Sequence, residues 1–237
     1  MKRCLQFPAL AGMVLFCAVL PACTGATPPP PITEDPAARE VSVASWADLL
    51  GAVSAPDHWQ VEPCENPALL CVRANGEILG TVERLSYPLS EANWPGEPPK
   101  TPEAQRQFLA AWVADHYTAI RRDRAGADPN LQFSAAAPTP ARVGSLPGLR
   151  YGYTITHPNG VVFDRTVGYV ATDGEQVYVF VTGVISGDPT GSFSNAEDLA
   201  TFAPHLASLM EDLRLGQRSL VKGLRLVRQR AGIQESR

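Results

Sequence analysis

The sequence predicts an α+β fold: an antiparallel β-sheet, built of a hairpin plus a three-stranded meander, covered by two long α-helices. Three observations predict it. Residues 148–185 hold three β-branched and aromatic runs separated by Asn159-Gly160 and Asp173-Gly174; such dipeptides favour tight hairpins because they accept the positive φ these turns require. A further Asn75-Gly76 lies between the apolar runs 69–74 and 77–86 and predicts an earlier hairpin region. Two segments, 102–124 and 195–215, repeat apolar residues at intervals of three and four, the spacing of a helix with one buried face.

At 237 residues and 45% hydrophobic content, the chain is long enough for one domain once its ends are set aside. Residues 1–22 read as a lipoprotein signal peptide. Lys2 and Arg3 precede an apolar run over 5–20 and then small residues, the layout of a secretory signal. The run is shorter than the about 20 apolar residues a bilayer span needs, and it contains Pro8 and Gly12. Leu20-Pro21-Ala22-Cys23 resembles the lipobox of bacterial lipoproteins, and by that resemblance Cys23 becomes the lipidated first residue of the mature chain. The alternative is a plain signal peptide with a chance cysteine. Residues 23–40 have no apolar periodicity and include four successive prolines from Pro28, so they read as a Pro-rich tether, extended at about 3.1 Å per residue. Residues 41–216 then form a single α+β domain, and 217–237 a basic tail.

Within the domain, Ser45-Trp46-Ala47-Asp48 has the Ser-x-x-acid pattern of a helix start, with Trp46, Leu49, Leu50 and Val53 at helical spacing. Strands follow at 59–63, 69–74 and 77–86. Cys4 and Cys17 fall in the signal segment and Cys23 is the acceptor, which leaves Cys64 and Cys71. In an oxidising compartment such a pair reads as a local disulfide across the first connection, the alternative being two buried thiols. A metal would need more ligands than these two.

Residues 86–102 read as a loop longer than the usual run of about four to six, carrying Tyr87 and Trp94. Trp94 reads either as a binding anchor or as an aromatic that lids the edge of the core. Thr101-Pro102-Glu103 places a cap before a proline at the first helical position. The helix it starts carries Phe108, Leu109, Trp112, Val113, His116, Tyr117 and Ile120 on one stripe. His116 reads as a hydrogen-bonded rim residue, since no partner at i±4 could share a metal with it. Arg121, Arg122 and Arg124 complement the dipole at the helix end.

Short strands at 131–137 and 141–146 lead into the meander. There Tyr151, Tyr153 and Ile155 alternate with Arg150, Gly152 and Thr154, which predicts one wetter face, as in an antiparallel sheet with its helices on one side. The run from Val177 to Val181 is apolar on both faces and reads as a central strand. After a loop at 186–193, Ser194-Asn195-Ala196-Glu197 reads as a capping box for the second long helix, with Gly216 ending it.

The tail carries six basic residues against Glu235, a net of +5, while Cys23 to Gly216 holds 12 basic and 23 acidic residues, a net of −11. An acidic body argues against nucleic acid as a partner. The order of elements is itself a resemblance. A Trp-containing first strand after a secretion tether, an early hairpin, a long helix at 102–124, a meander with Tyr178-Val179-Phe180-Val181 and a closing helix ending in Asp212-Leu213-Arg214-Leu215 resemble the PsbP/Mog1-like group, which includes the LpqN and DcrB families of bacterial lipoproteins. The resemblance covers about 59–215 and shares no catalytic motif, so it carries over no functional residue. It implies an accessory or binding protein.

The chain has no Gly-x-Ser-x-Gly elbow, no phosphate-binding Gly-x-x-x-x-Gly-Lys loop, no His-Glu-x-x-His and no dinucleotide fingerprint after a strand. Ser86, Ser192, His157, His205 and Asp164 are the residues that convergence in space would have to bring into a triad. The Gly-rich stretch 187–194, entering a helix, is a candidate anion cradle, although a capping box uses the same amides. The sequence therefore reads as an exported, membrane-tethered lipoprotein acting as a non-catalytic binding or scaffolding module of the bacterial cell envelope. Its candidate contact residues are Tyr87, Trp94, Gly187, Gly191 and Ser192, with no cofactor and no metal. Its partners are a membrane, through the lipid anchor, and an envelope protein or small ligand. The alternative is an exported hydrolase whose Ser/His site carries no known motif.

Overall fold

The computed structural model describes residues 45–92, 94, 97–185 and 191–216. Contacts divide the chain between Val41 and Ser42, and every described residue belongs to the second unit, Ser42–Arg237. The segments expected to be a signal peptide (1–22) and a tether (23–40, with Cys23), Gly187 and the basic stretch 217–237 lie outside the described residues. Among the described residues the chain forms three α-helices, α1 (Trp46–Leu49), α2 (Pro102–Ala127) and α3 (Ala196–Glu211). Its eight strands are β1 (Trp59–Pro63), β2 (Leu69–Ala74), β3 (Glu77–Pro88), β4 (Gln132–Ala135), β5 (Thr139–Val143), β6 (Leu146–Thr156), β7 (Val162–Thr172) and β8 (Gln176–Ile185).

All eight strands share one antiparallel sheet in the order β1-β2-β3-β8-β7-β6-β4, with β5 also pairing β6. The hairpin β2–β3 turns on Asn75 and Gly76, at φ 52° and 85°, and Gly160 and Gly174 take φ 82° and 91° in the meander. Those are the left-handed conformations the turn dipeptides were read to supply. β8 joins the hairpin to the meander and lies at the centre, as its two apolar faces predict. Cys64 and Cys71 form a disulfide with S–S 2.04 Å and Cα–Cα 5.2 Å. It closes the β1–β2 connection, where Cys64 N–H also donates to Leu69 O at 3.0 Å.

The helices do not lie on one side, and this corrects the expectation of a single wetter face. Phe108, Leu109 and Val113 of α2 pack with Leu149, Tyr151, Val170, Val177 and Val179. Leu199, Phe202, Leu206, Leu209 and Met210 of α3 pack instead with Leu70, Val72, Val82, Tyr169, Ala171 and Phe180. Tyr151 and Tyr169 sit in opposite registers of neighbouring strands, since Arg150 pairs with Tyr169 and Tyr151 with Gly168. Side chains alternate across a strand, so the two clusters occupy opposite faces. At Gly168 a Cβ would stand 2.2 Å from Tyr151 Cζ, so the absent side chain is what lets that ring lie flat on the sheet.

Local boundaries also shift, the expected strands at 131–137 and 141–146 being Gln132–Ala135 and Thr139–Val143. α1 ends at Leu49, so Trp46 and Leu49 are buried but Val53 is exposed. β3 continues to Pro88 and a 3-10 turn follows at Leu89–Glu91, so Tyr87 is a strand residue and not a loop residue. α2 extends past Arg124 to Ala127 and so includes Gly126. The cap of α3 is Asn195, whose side chain accepts from Asp198 N–H at 2.8 Å, one residue after the expected Ser194. That helix stops at Glu211, and hydrogen bonds to two distant segments hold the chain beyond it. Ser145 N–H and hydroxyl both bond Leu215 O, at 3.1 and 2.8 Å, and Arg214 N–H bonds Leu49 O at 2.8 Å. Leu213 and Leu215 are thereby buried without being helical.

Candidate functional site at a break in the sheet ladder

Two short strands share one edge of β6. β4 pairs with it as far as Ala135 opposite Tyr153, and β5 resumes at Thr139 opposite Arg150. Pro138 lies between them and has no N–H to offer a ladder. Tyr151 and Gly152 therefore face a gap. Gly152 O accepts from Ala136 N–H at 3.2 Å. The Tyr117 hydroxyl, reaching across from α2, fills the rest: it accepts from Gly152 N–H at 3.0 Å and lies 3.1 Å from Ala136 O and 3.0 Å from Gly152 O, to either of which it can donate. Burial pushes the Tyr117 phenol up, and its bond to the Gly152 backbone pulls it partly back.

On the α3 side of the sheet the break opens into a cavity of about 430 Å³, lined among others by Ser134, Thr139, Arg150, Gly152, Thr154 and Arg165. α3 lies over β3, β5 and β8, and so leaves this corner open. Arg165 pairs directly with Thr154, and Arg150 with Tyr169, so both arginines stand on the α3 face. Burial raises the Tyr169 phenol, and the charge of the neighbouring Arg150 works against the rise. The described residues form ion pairs at Arg73–Glu62 (2.9 Å), Lys100–Glu97 (3.7 Å), Arg106–Glu103 and Arg124–Asp164 (3.2 Å), none of which uses Arg150 or Arg165. No Asp or Glu is among the residues lining the cavity.

The residues singled out by sequence lie elsewhere. Tyr87 and Trp94 flank the α2 cluster: the Tyr87 hydroxyl accepts from Trp112 Nε1–H, and Trp94 sits edge-on to Phe108 at 5.2 Å with its indole N–H on Glu97 O at 3.2 Å. Both contacts match an aromatic cover over the edge of the core. Gly191 stands against Glu83 Cβ, 3.1 Å from where a Cβ would be. Ser192 bonds the sheet edge, receiving Thr81 N–H on its carbonyl at 2.9 Å and Ile185 N–H on its Oγ at 3.0 Å. Its donors and acceptors are used to hold the loop.

The five Ser, His and Asp residues considered for a triad are held by other partners. Ser86 lies in β3 opposite Tyr178, His157 is edge-on to Phe163, and the fully buried Asp164 faces Arg124. His205 Nδ1 instead meets Ser54 Oγ at 2.8 Å, a pair 151 residues apart in sequence. His116 stacks on Trp112 at 5.2 Å and sits against Tyr151, and burial pulls its imidazole below the ordinary value. Arg124 does more than cap a dipole, because its partner Asp164 has no access to solvent. Among the described residues no three His, Cys, Asp or Glu side chains stand close enough to hold a metal. Arg150 and Arg165 were missed because each reads as an ordinary polar position on an alternating strand. Only the pairing of Thr154 with Arg165 places them on one face.

No family model and no curated protein matches this chain. Among solved structures it is similar to the solution structure of cyanobacterial PsbP (CyanoP) from Synechocystis sp. PCC 6803. The two share 10% identity at a TM-score of 0.35, over 74% of this chain and 95% of that one. A TM-score of 0.35 is too low to carry an argument, so the α+β architecture stands on the strand register and helix packing of the chain itself.

Proposed function

We propose that the chain is an exported, membrane-tethered lipoprotein acting as a non-catalytic binding or scaffolding module of the bacterial cell envelope. The observation that carries the binding reading is the cavity at the β4–β5 break, a concavity on paired strands that presents two arginines with no ion-pair partner among the described residues. Concave sites with a few convergent polar groups are where ligands are held. The anchoring half rests on residues 1–22 and on Leu20-Pro21-Ala22-Cys23. A disulfide between Cys64 and Cys71 suits an oxidising compartment and so favours export. The Pro-rich 23–40 would hold the domain away from its membrane, within reach of an envelope protein or small ligand.

The test is metabolic labelling with a palmitate analogue, followed by crosslinking in intact cells. The wild type takes the label and captures an envelope partner, while Cys23→Ala loses the label. Equal labelling of the two would remove the anchor from the proposal. Trp94→Ala, which trims the cover at the core edge, is the probe for the Tyr87 and Trp94 region, and a weakened capture at unchanged stability would put the partner there. One observation favours the alternative of an exported hydrolase, the hydrogen bond between Ser54 and His205. Turnover of a generic ester that Ser54→Ala abolishes would establish that reading in place of the first.

A further inference from the structure

We infer that the cavity at the β4–β5 break binds a compact polyvalent anion, a small molecule carrying two or more carboxylate or phosphate groups. The inference rests on the binding reading above and names the ligand class of that site. Arg165 stands opposite Thr154, and Arg150 lies four residues before Thr154 on the same strand and face. Their backbones are therefore roughly 13 Å apart along the sheet. Two long side chains rooted at that distance can close from both ends on a ligand lying over Gly152, which adds no side chain beside Val167 on the floor. A guanidinium presents a planar fork of donors that matches carboxylate and phosphate oxygens two at a time. Ser134, Thr139 and Thr154 add hydroxyl-bearing residues to the lining.

Three further observations point the same way. Among the described residues no carboxylate lines the cavity, although residues 23–216 carry a net charge of −11, so its described lining is cationic on an acidic body. Arg150 stands directly opposite Tyr169 on the same face, so its guanidinium is rooted beside a buried ring at one end of the cavity. The volume of about 430 Å³ falls within the size of small-ligand pockets, about 300–1,000 Å³.

The experiment is calorimetric titration of the full chain at low ionic strength with citrate and with pyrophosphate, using acetate as the monovalent control. Saturable binding of one citrate or one pyrophosphate is expected, with acetate far weaker and added salt reducing the affinity. The stronger of the two probes distinguishes a carboxylate from a phosphate ligand. Arg150→Ala and Arg165→Ala should each weaken binding about tenfold or more, as expected for loss of a charged hydrogen-bonding partner. Arg142→Ala, on β5 but outside the lining, should leave it unchanged. Absence of saturable binding for both probes, or binding that survives both cavity substitutions, overturns the inference. Partner capture in cells is read separately, so its persistence without anion binding would refute the ligand class and leave the scaffolding role standing.

Discussion

Tyr117→Phe tests whether one hydroxyl holds the broken ladder of the sheet together. The substitution keeps the ring, whose edge-to-face contacts with Phe133 (6.0 Å), Tyr151 (6.2 Å) and Tyr153 (6.2 Å) are made by carbon atoms. It removes an oxygen that lies within 3.1 Å of three backbone groups, Gly152 N, Gly152 O and Ala136 O. Ala136 is exposed and Gly152 O also receives Ala136 N–H, so water and the remaining bond take over those two acceptors. Gly152 N–H is half-buried and points into the gap, with no strand residue to receive it. Leaving such a donor without a partner costs about 1–3 kcal/mol, and its partial exposure places the expectation at about 1–2 kcal/mol. For a domain of this size each kcal/mol lowers the melting temperature by about 2–4 °C. Circular dichroism should therefore show a drop of about 2–8 °C, and amide exchange at Gly152 should quicken relative to its neighbours in β6. A melting temperature and a Gly152 protection both equal to wild type would refute the account of the break.

Two other perturbations probe the packing. Leu206→Asp places a charge where the side chain is 2% exposed, within the cluster that α3 makes with the sheet. An unpaired buried charge costs several kcal/mol against a total of about 5–15, so the domain should fail to fold cooperatively, and an unchanged thermal transition would show that this helix face is not buried. Burial holds the His116 imidazole below its ordinary value of 6.5, so the unfolded chain takes up a proton at higher pH than the folded one. Stability should accordingly be full above pH 6.5 and decline as pH falls below it. His116→Gln should flatten that decline in urea titrations, and an identical pH profile would refute the assignment.

Signals that act between near neighbours were legible in the sequence. Asn75-Gly76, Asn159-Gly160 and Asp173-Gly174 set the hairpins because positive φ is a property of the residue itself. Thr101 and the Ser45-to-Asp48 box set helix starts because a cap reaches only three residues along the chain. The apolar character of the run from Val177 to Val181 set β8 at the centre, since a strand apolar on both faces must be covered on both. Even the disulfide was local, closing a separation of seven residues. The errors fell where a decision needed distant partners. Alternation along β6 marked a wet side at Arg150, Gly152 and Thr154, but that side is wet only at the corner α3 does not reach, and the same face is dry at Tyr169 and Ala171. The candidate site belongs to this second kind. Tyr117 meets Gly152, Arg165 stands beside Thr154, and Ser54 meets His205 only after the strands have paired and the helices have docked. By itself the sequence determined which residues turn, cap and pair with their neighbours. Only the tertiary structure decided which helix takes which face and which arginines share a cavity, because those contacts join residues that have no interaction until the sheet has formed.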